Sequence, residues 1–343
     1  MIGYYVHHVG RGHLHRAQAL AGELEAHGEQ VTGLSSLGRP AGWPGEWILL
    51  PRDDEGPGAS ARDVTANGRL HWAPLRDEGL RARMAAVSAW IGLAHPDLMV
   101  VDVSVELVLL SRLHGVPTLA VVLPGRRDDP AHTLGFEAAD ALVSFWPADV
   151  TGMTHGLSAT ALERLVPVGA MSRHPVRSEA LPVCRSVGRR RVVVLLGAGG
   201  HDIRSADVER ARRMTPEWDW TVLDGSPGTW VADTSAVLAA ADVVVTHAGQ
   251  NAIAETASAR RPAVVIPQSR PHDEQQVTGS VLGTGWPAVV CATWPATGWP
   301  DLLDRVAALD GQEWSRWCDG LAGARFAELA LRVRGEIAVG ARS

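Results

Sequence analysis

An α/β protein of two open, parallel-sheet domains facing each other across a cleft is the fold class the sequence predicts, and three observations carry it. Strand-like runs alternate with helical ones along the chain, the βαβα order that lays parallel strands under helices on both faces. That order occurs twice, and "GAMSRHPVRSEALPVCRSVGRR" (Gly169–Arg190), which has neither periodicity, separates the two halves. The chain, 343 residues and 46% hydrophobic, is long enough to fill two cores. The expected organisation is a first domain over 1–170, a linker over 171–190, a second domain over 191–312 and a C-terminal helix over 313–343.

In the first half, short apolar runs bounded by turn residues predict strands near 2–7, 30–34, 47–50, 98–102, 117–122 and 140–144. Helical spacing predicts helices near 13–27, 75–94, 104–114 and 131–138. A polar, glycine-rich loop fills the interval from Pro51 to Trp72, a length that usually marks function or disorder. In the second half strands are expected near 191–196, 220–223, 242–246, 263–267 and 287–291. Two helices are expected after Pro300, the last near 313–339 and amphipathic.

Composition excludes several classes. The longest apolar stretch, "LMVVDVSVELVLLSRLHGVPTLAVVL", is broken by Asp102, Glu106, Arg112 and His114, so no membrane span is expected. The chain opens on a strand-like "IGYYV" instead of a basic and apolar leader, and the expected location is the cytoplasm. The three cysteines, Cys184, Cys291 and Cys318, show no metal-like spacing and are read as reduced structural thiols. Every one of the 32 basic residues is arginine, and the net charge is −6. No basic stripe is present, so nucleic acid is not an expected partner.

The turns at strand ends carry the chemistry. In "HHVGRGHLHRAQALAGEL" Gly10 and Gly12 flank Arg11, and His13 opens a helix. A dinucleotide fingerprint is excluded, because His15 takes the third glycine position and no acidic residue ends the second strand. His13 either caps the helix, faces solvent, or serves as a base, its neutral form being favoured by the helix N-terminus. Asp102, at the end of "DLMVV", lies on the same sheet edge. It either caps the following helix or orients the His13 imidazole.

In the second half "VVVLLGAGGHD" ends a buried strand in Gly197, Gly199 and Gly200, whose backbone N–H groups can approach phosphate. Further on, "VVVTHAGQNAIAE" places His247 at a strand end and Glu255 eight residues later, two turns into a helix. A diphosphate at the imidazole and helix N-terminus, with vicinal hydroxyls on the carboxylate, has the dimensions of a nucleotide.

The stretch "THAGQNAIAETASARRPAVVIPQSRPHDEQ" resembles the donor-binding motif of nucleotide-sugar glycosyltransferases with the GT-B fold. It is similar both to the UDP-glycosyltransferases of small acceptors and to the bacterial enzyme that adds N-acetylglucosamine to the lipid-linked peptidoglycan precursor. The match lies on His247, Gly249, Asn251, Glu255, Pro262, Pro267 and the Glu274–Gln275 pair. The first turn is similar to the acceptor-side motif of the same group.

The resemblance implies His13 as general base, Asp102 as its orienting partner, and the turn of Gly10 and Gly12 on the acceptor side; Arg126 and Arg127, in the loop over 124–132, are read as acceptor-side residues whose charge Asp128 and Asp129 beside them offset. It implies a nucleobase at Trp230 and Val231. The diphosphate falls to His247, the turn Gly197–Gly200 and the backbone of Gly249, Gln250, Asn251 and Ala252. Glu255 takes the ribose, and Glu274 with Gln275 the sugar. The sequence departs from the pattern at Ala252, where many small-molecule enzymes have a serine on the phosphate, and at Gln250, a common tryptophan position. Retaining enzymes of the fold carry Glu at both ends of the 247–255 interval, so His247 implies inversion. A metal-independent single displacement follows, with a nucleotide diphosphate sugar, UDP- or dTDP-linked, as co-substrate and no cofactor. The C-terminal helix is expected to pack back towards the first domain.

Charge divides unevenly. Residues 1–170 hold 13 arginines against 19 carboxylates, whereas 171–343 hold 19 of each. The anionic donor therefore suits the second half, and the acidic first half suits a neutral or amine-bearing small-molecule acceptor, with loops 52–72 and 124–132 closing over it. Trp43, Trp47, Trp72, Trp90 and Trp146 lie in this half, more as core residues than as lining. The competing readings are a transferase acting on a lipid-linked envelope precursor, a nucleotide-sugar epimerase, and a non-catalytic nucleotide-sugar-binding subunit.

Overall fold

The computed structural model describes residues 1–55, 63–178, 189–196, 202–225, 231 and 233–340. The first half runs β1 (Ile2–Val6), α1 (Arg11–Ala26), β2 (Val31–Ser35), β3 (Trp47–Leu49), α2 (Glu78–Ala94), β4 (Leu98–Asp102), α3 (Val105–Leu113) and β5 (Thr118–Val122). It continues with β6 (Gly125–Arg126), α4 (Pro130–Ala138), β7 (Ala141–Ser144), β8 (Thr154–His155), α5 (Ala159–Arg164) and β9 (Leu165–Pro167). The second half runs β10 (Arg190–Leu195), α6 (Ser205–Met214), β11 (Trp218–Leu223), α7 (Ser235–Ala239), β12 (Val243–Thr246), α8 (Gln250–Ser258) and β13 (Ala263–Val265). After it come α9 (Glu274–Leu282), β14 (Ala288–Val290), α10 (Trp299–Ala307) and α11 (Ala322–Gly340).

The first sheet has the order β3-β2-β1-β4-β5-β7-β9 and the second β11-β10-β12-β13-β14, with every pairing parallel. Strands such as β1, β4 and β5 are buried along their whole length. This explains their near-continuous apolar sequences, since a parallel sheet is covered on both faces. The two-domain α/β class expected from sequence is the class observed.

Each sheet reverses its strand order at one place, and ligands of open α/β sheets bind beyond the carboxyl ends there. In the first sheet the reversal lies between β1 and β4, where Val6 is level with Asp102. In the second it lies between β10 and β12, where Leu195 is level with Thr246. The turn carrying His13 and the turn carrying His247 each leave a strand at such a point.

Local chemistry moves several expected boundaries. Helix α2 starts at Glu78, not near 75, because the Asp77 side chain accepts from Leu80 N at 2.7 Å and caps it. The run expected as one helix over 313–339 is two elements. Asp310 caps a 3₁₀ turn over Gly311–Arg316, the chain reverses at Gly320 (φ 86°), and α11 begins only at Ala322. Strand β9 and the two-residue ribbon β6·β8 are too short to show a period, and sequence reasoning did not find them.

Helix α11 lays Phe326, Leu329, Ala330 and Val333 into the same apolar cluster as Ala17, Leu20, Ala21 and Leu24 of α1. A second cluster runs from Tyr5 and Met99 through Trp146, Ala170 and Trp317 to Ile253 and Ala257 of α8, so the two halves share buried surface. Among the described residues no helix is long and apolar enough to cross a membrane.

Candidate active site

Gly10 adopts φ 89°, a left-handed conformation that favours glycine, and so the chain can turn from β1 into α1 within four residues. The helix begins at Arg11, two residues before the expected start, so Gly12 lies in its first turn and not in the loop. The reason is a close approach. A Cβ on Gly12 would stand 2.8 Å from the Asn251 amide nitrogen, and Asn251 Nδ2 donates to Gly12 O at 3.0 Å. The N-terminal turn of α8 thus meets the N-terminal turn of α1 across the cleft.

His13 Nδ1 lies 2.9 Å from Asp102 Oδ1. Asp102 is fully buried, whereas the His13 side chain keeps 19% of its exposure. Capping of α3 falls to Ser104, whose hydroxyl accepts from Leu107 N at 3.2 Å, which leaves Asp102 for pairing. Arg16, one helical turn after His13, joins them, with Nε 3.2 Å from Asp102 Oδ2 and Nη2 2.5 Å from Oδ1. Burial alone would push the Asp102 carboxyl up, but Arg16 and then His13 hold it well below the usual carboxylate range.

Arg16 was not singled out from sequence, although its i+3 spacing from His13 is a usable signal. Its Nη1 also reaches Gln250 Oε1 at 3.3 Å, a second contact between α1 and α8. His7 stands beside His13, ring centroids 6.0 Å apart, and burial, with Arg83 nearby, drives it down to about 3.

His7 in turn lines a cavity of about 280 Å³, with Tyr5, Val9, Trp72, Met84 and Leu107 on its apolar side. Asp53, Asp54 and Glu106 edge it, and each is engaged. Buried Arg83 lies 3.1 Å from Asp53, Arg52 pairs with Asp54 at 2.7 Å, and Glu106 Oε1 accepts from His71 N and Trp72 N. Of the five tryptophans noted in this half only Trp72 lines the cavity, while Trp43, Trp90 and Trp146 are core. Arg126 pairs locally with Asp128 at 2.9 Å. Arg127 does not pair with Asp129; it reaches across the cleft to Glu274 Oε1 at 2.8 Å.

On the second-domain side His247 follows β12, and its Nδ1 accepts from Gly249 N at 2.9 Å. That bond leaves the proton of the neutral ring on Nε2, a donor suited to a phosphate oxygen. Ala252 is buried in the first turns of α8. Glu255 is 6% exposed and partnered by linker residues: Arg173 Nε stands 2.8 Å from Oε1, and His174 Nε2 3.7 Å from Oε2. Burial pushes its carboxyl up, and His174 and Arg173 hold it below its ordinary value. Sequence reasoning missed both, because the linker has no periodicity to read. Gln275 is buried, and its Oε1 accepts from Gln268 N at 2.9 Å. Val231 is 38% exposed; Gly197, Gly199, Gly200 and Trp230 lie outside the described residues.

Comparison with known proteins agrees with this layout. Residues 227–278 match the glycosyltransferase family 28 C-terminal domain. No curated protein matches the chain in sequence. Among solved structures, a kitacinnamycin glycotransferase superposes with TM-score 0.66 at 20% identity, covering 97% of this chain and 98% of that one. The calicheamicin glycosyltransferase CalG4 gives 0.65 at 17%, covering 98% of both chains. MurG of Acinetobacter baumannii gives 0.59 at 13%, covering 96% of this chain and 99% of that one. Two parallel-sheet domains, reversal points facing one cleft and the matched donor-side segment converge: this chain has the GT-B fold of two Rossmann-like domains, and its residues 227–278 carry the C-terminal domain signature of glycosyltransferase family 28.

Proposed function

We propose that the protein is an inverting glycosyltransferase that moves a sugar from a nucleotide diphosphate sugar, UDP- or dTDP-linked, to a hydroxyl of a small-molecule acceptor. The observation that carries this reading is the His13–Asp102 pair at the reversal point of the first sheet, held against the N-terminus of α8 through Gly12–Asn251 and Arg16–Gln250. With Nδ1–H donating a hydrogen bond to Asp102, which stays ionised, His13 presents Nε2 as the base. It takes the acceptor's hydroxyl proton while that oxygen attacks the anomeric carbon and the diphosphate leaves from the opposite face. Charge growing on the leaving group meets His247 and the amides of the first turn of α8. This displacement uses no metal and no cofactor. Glu255 takes the ribose by exchanging part of its bonding to Arg173, and Glu274 with Gln275 faces the sugar.

Incubation with a panel of nucleotide sugars tests the reading. Acceptor-dependent release of nucleoside diphosphate is expected; sugar isomerisation without release would instead indicate an epimerase, and binding without turnover a non-catalytic subunit. Glu255→Ala is expected to weaken nucleotide binding about tenfold to a hundredfold, through loss of charge-assisted hydrogen bonds worth about 1.5–3 kcal/mol. An unchanged Kd by calorimetry would place the ribose elsewhere.

A neutral or amine-bearing acceptor is favoured by the apolar wall of the cavity that His7 lines and by the excess of carboxylates over arginines in residues 1–170. A lipid-linked acceptor requires approach to an anionic membrane, which favours a basic surface, and 1–170 carries more carboxylates than arginines. No co-sedimentation with anionic vesicles is therefore expected at 0.1 M salt. Strong, salt-sensitive binding would restore the lipid-linked reading.

A further inference from the structure

Three imidazoles and one carboxylate converge on the cleft beside the Arg127–Glu274 bridge, and the proposed transfer uses none of them. His71 comes from the loop before α2, Asp129 and His132 from the start of α4, and His272 from the other domain, in the 3₁₀ turn Pro271–Asp273 that leads into α9. One ligand atom from each lies within 4.8 Å of all the others. His71 Nε2 is 3.1 Å from Asp129 Oδ1, and His272 Nδ1 is 3.8 Å from Oδ2. The first distance fits a hydrogen bond. The second does not, but it is within a few tenths of the about 3–3.5 Å that separates neighbouring ligands of one ion at metal–ligand distances near 2.1 Å.

The fourth member has a different chemistry. Arg127 Nη1 lies 3.1 Å from His132 Nε2, and guanidinium can only donate, so that nitrogen is the acceptor and the ring proton sits on Nδ1. His132 Nδ1–H then donates to Asp129 Oδ2. This is the hydrogen bond an outer partner makes to a ligating carboxylate. The positive charge of Arg127 is itself taken by Glu274.

His272 is held in place at a conformational cost. Both His272 (φ 59°) and Asp273 (φ 55°) are left-handed without being glycine. The turn is clamped from the first domain: a Cβ on Gly125 (φ 112°) would stand 2.2 Å from His272 O.

The other cluster of this kind among the described residues, His8 with Asp53 and Asp54, lacks this chemistry, because Arg83 and Arg52 already neutralise its carboxylates. We propose that Asp129, His71 and His272 form a two-histidine, one-carboxylate site for a divalent transition-metal ion such as Zn²⁺, with His132 as its outer hydrogen-bond partner, and that the ion ties the two domains together across the cleft. The ion takes no part in the displacement, so its test is independent of transfer.

Full-length protein stripped with chelator and titrated with Zn²⁺ by calorimetry should bind one ion per chain that depends on all three ligands. Asp129→Asn, which keeps a competent cap on α4, and His272→Ala should each lower affinity by more than about 100-fold, beyond the range typical of outer partners, while His132→Phe should cost about 10- to 100-fold. Melting curves of the metal-free variants, unchanged from the parent, establish that they are folded. Titration with Co²⁺ should give a visible absorption band that His272→Ala abolishes. No binding at 0.1 mM Zn²⁺ (about 100 μM, far weaker than such sites), or affinity that survives both substitutions, would overturn the site. Loss in Asp129→Asn alone would overturn the link between domains.

Discussion

His13→Ala is expected to lower kcat by about 10² to 10⁴ while leaving the Kd for the nucleotide nearly unchanged. The expectation rests on how the residue is held. Nδ1 is committed to Asp102 at 2.9 Å, the carboxylate is buried, and the remaining nitrogen belongs to a ring that keeps 19% exposure beside His7, which lines the cavity. The variant removes the proton acceptor and leaves the donor-side groups on β12 and α8 in place. Steady-state kinetics with a saturating donor, paired with calorimetry on the nucleoside diphosphate, separates the two quantities. Full activity in the variant would remove His13 from the mechanism.

Asp102→Ala is expected to destabilise the first domain by about 3–5 kcal/mol, the usual cost of leaving one partner of a buried ion pair unmatched. The Arg16 side chain is 4% exposed, and without Asp102 its contacts include His13 Nδ1 at 3.1 Å, Gln250 Oε1 at 3.3 Å and the Phe145 ring at 5.0 Å. None of these carries a negative charge. Asp102→Asn keeps the volume and an acceptor oxygen, so it should lose less stability, yet lower kcat by a factor approaching 10⁴ because the amide no longer selects the imidazole tautomer. Urea midpoints and kcat measured on both variants check the split. Equal loss of stability and activity in the two would reduce Asp102 to a structural role.

The same pair sets an acid dependence. Asp102 titrates lower in the folded protein than its ordinary value of 3.8, so the unfolded chain binds the proton more readily. The stabilisation is therefore complete above about pH 4 to 5 and is lost as the pH falls towards the depressed folded value. In Asp102→Asn that component of the acid sensitivity should disappear, and a urea midpoint followed from pH 6 to pH 3 should fall less steeply than in the parent.

Short-range pattern was enough to specify the fold. Apolar runs such as "MVVD" and "DVVVT" can only be strands covered on both faces, and Gly10 and Gly249 mark the turns beyond β1 and β12. The positions of His13, Asp102, His247 and Glu255 at or after carboxyl ends follow from that alone, because in an alternating βα chain every such end lies on the same edge of its sheet. Local pattern failed at the short elements β6, β8 and β9, and where a cap or a single glycine cut a long amphipathic run, as between Arg316 and Ala322.

What the tertiary structure alone decided is the partnership of charges. Arg16 is in register with His13 on α1, but its bond to Asp102 spans 86 residues and its bond to Gln250 spans 234. Arg127 stands beside Asp129 in sequence and nonetheless pairs with Glu274, while Glu255, read as open to a ribose, already holds Arg173 and His174. The physical reason is that backbone periodicity is a local property, recorded within a few residues, whereas a buried charge must find its counter-charge wherever packing brings one within about 4 Å. Sequence states which groups need partners; only the closed cleft states which partners they have.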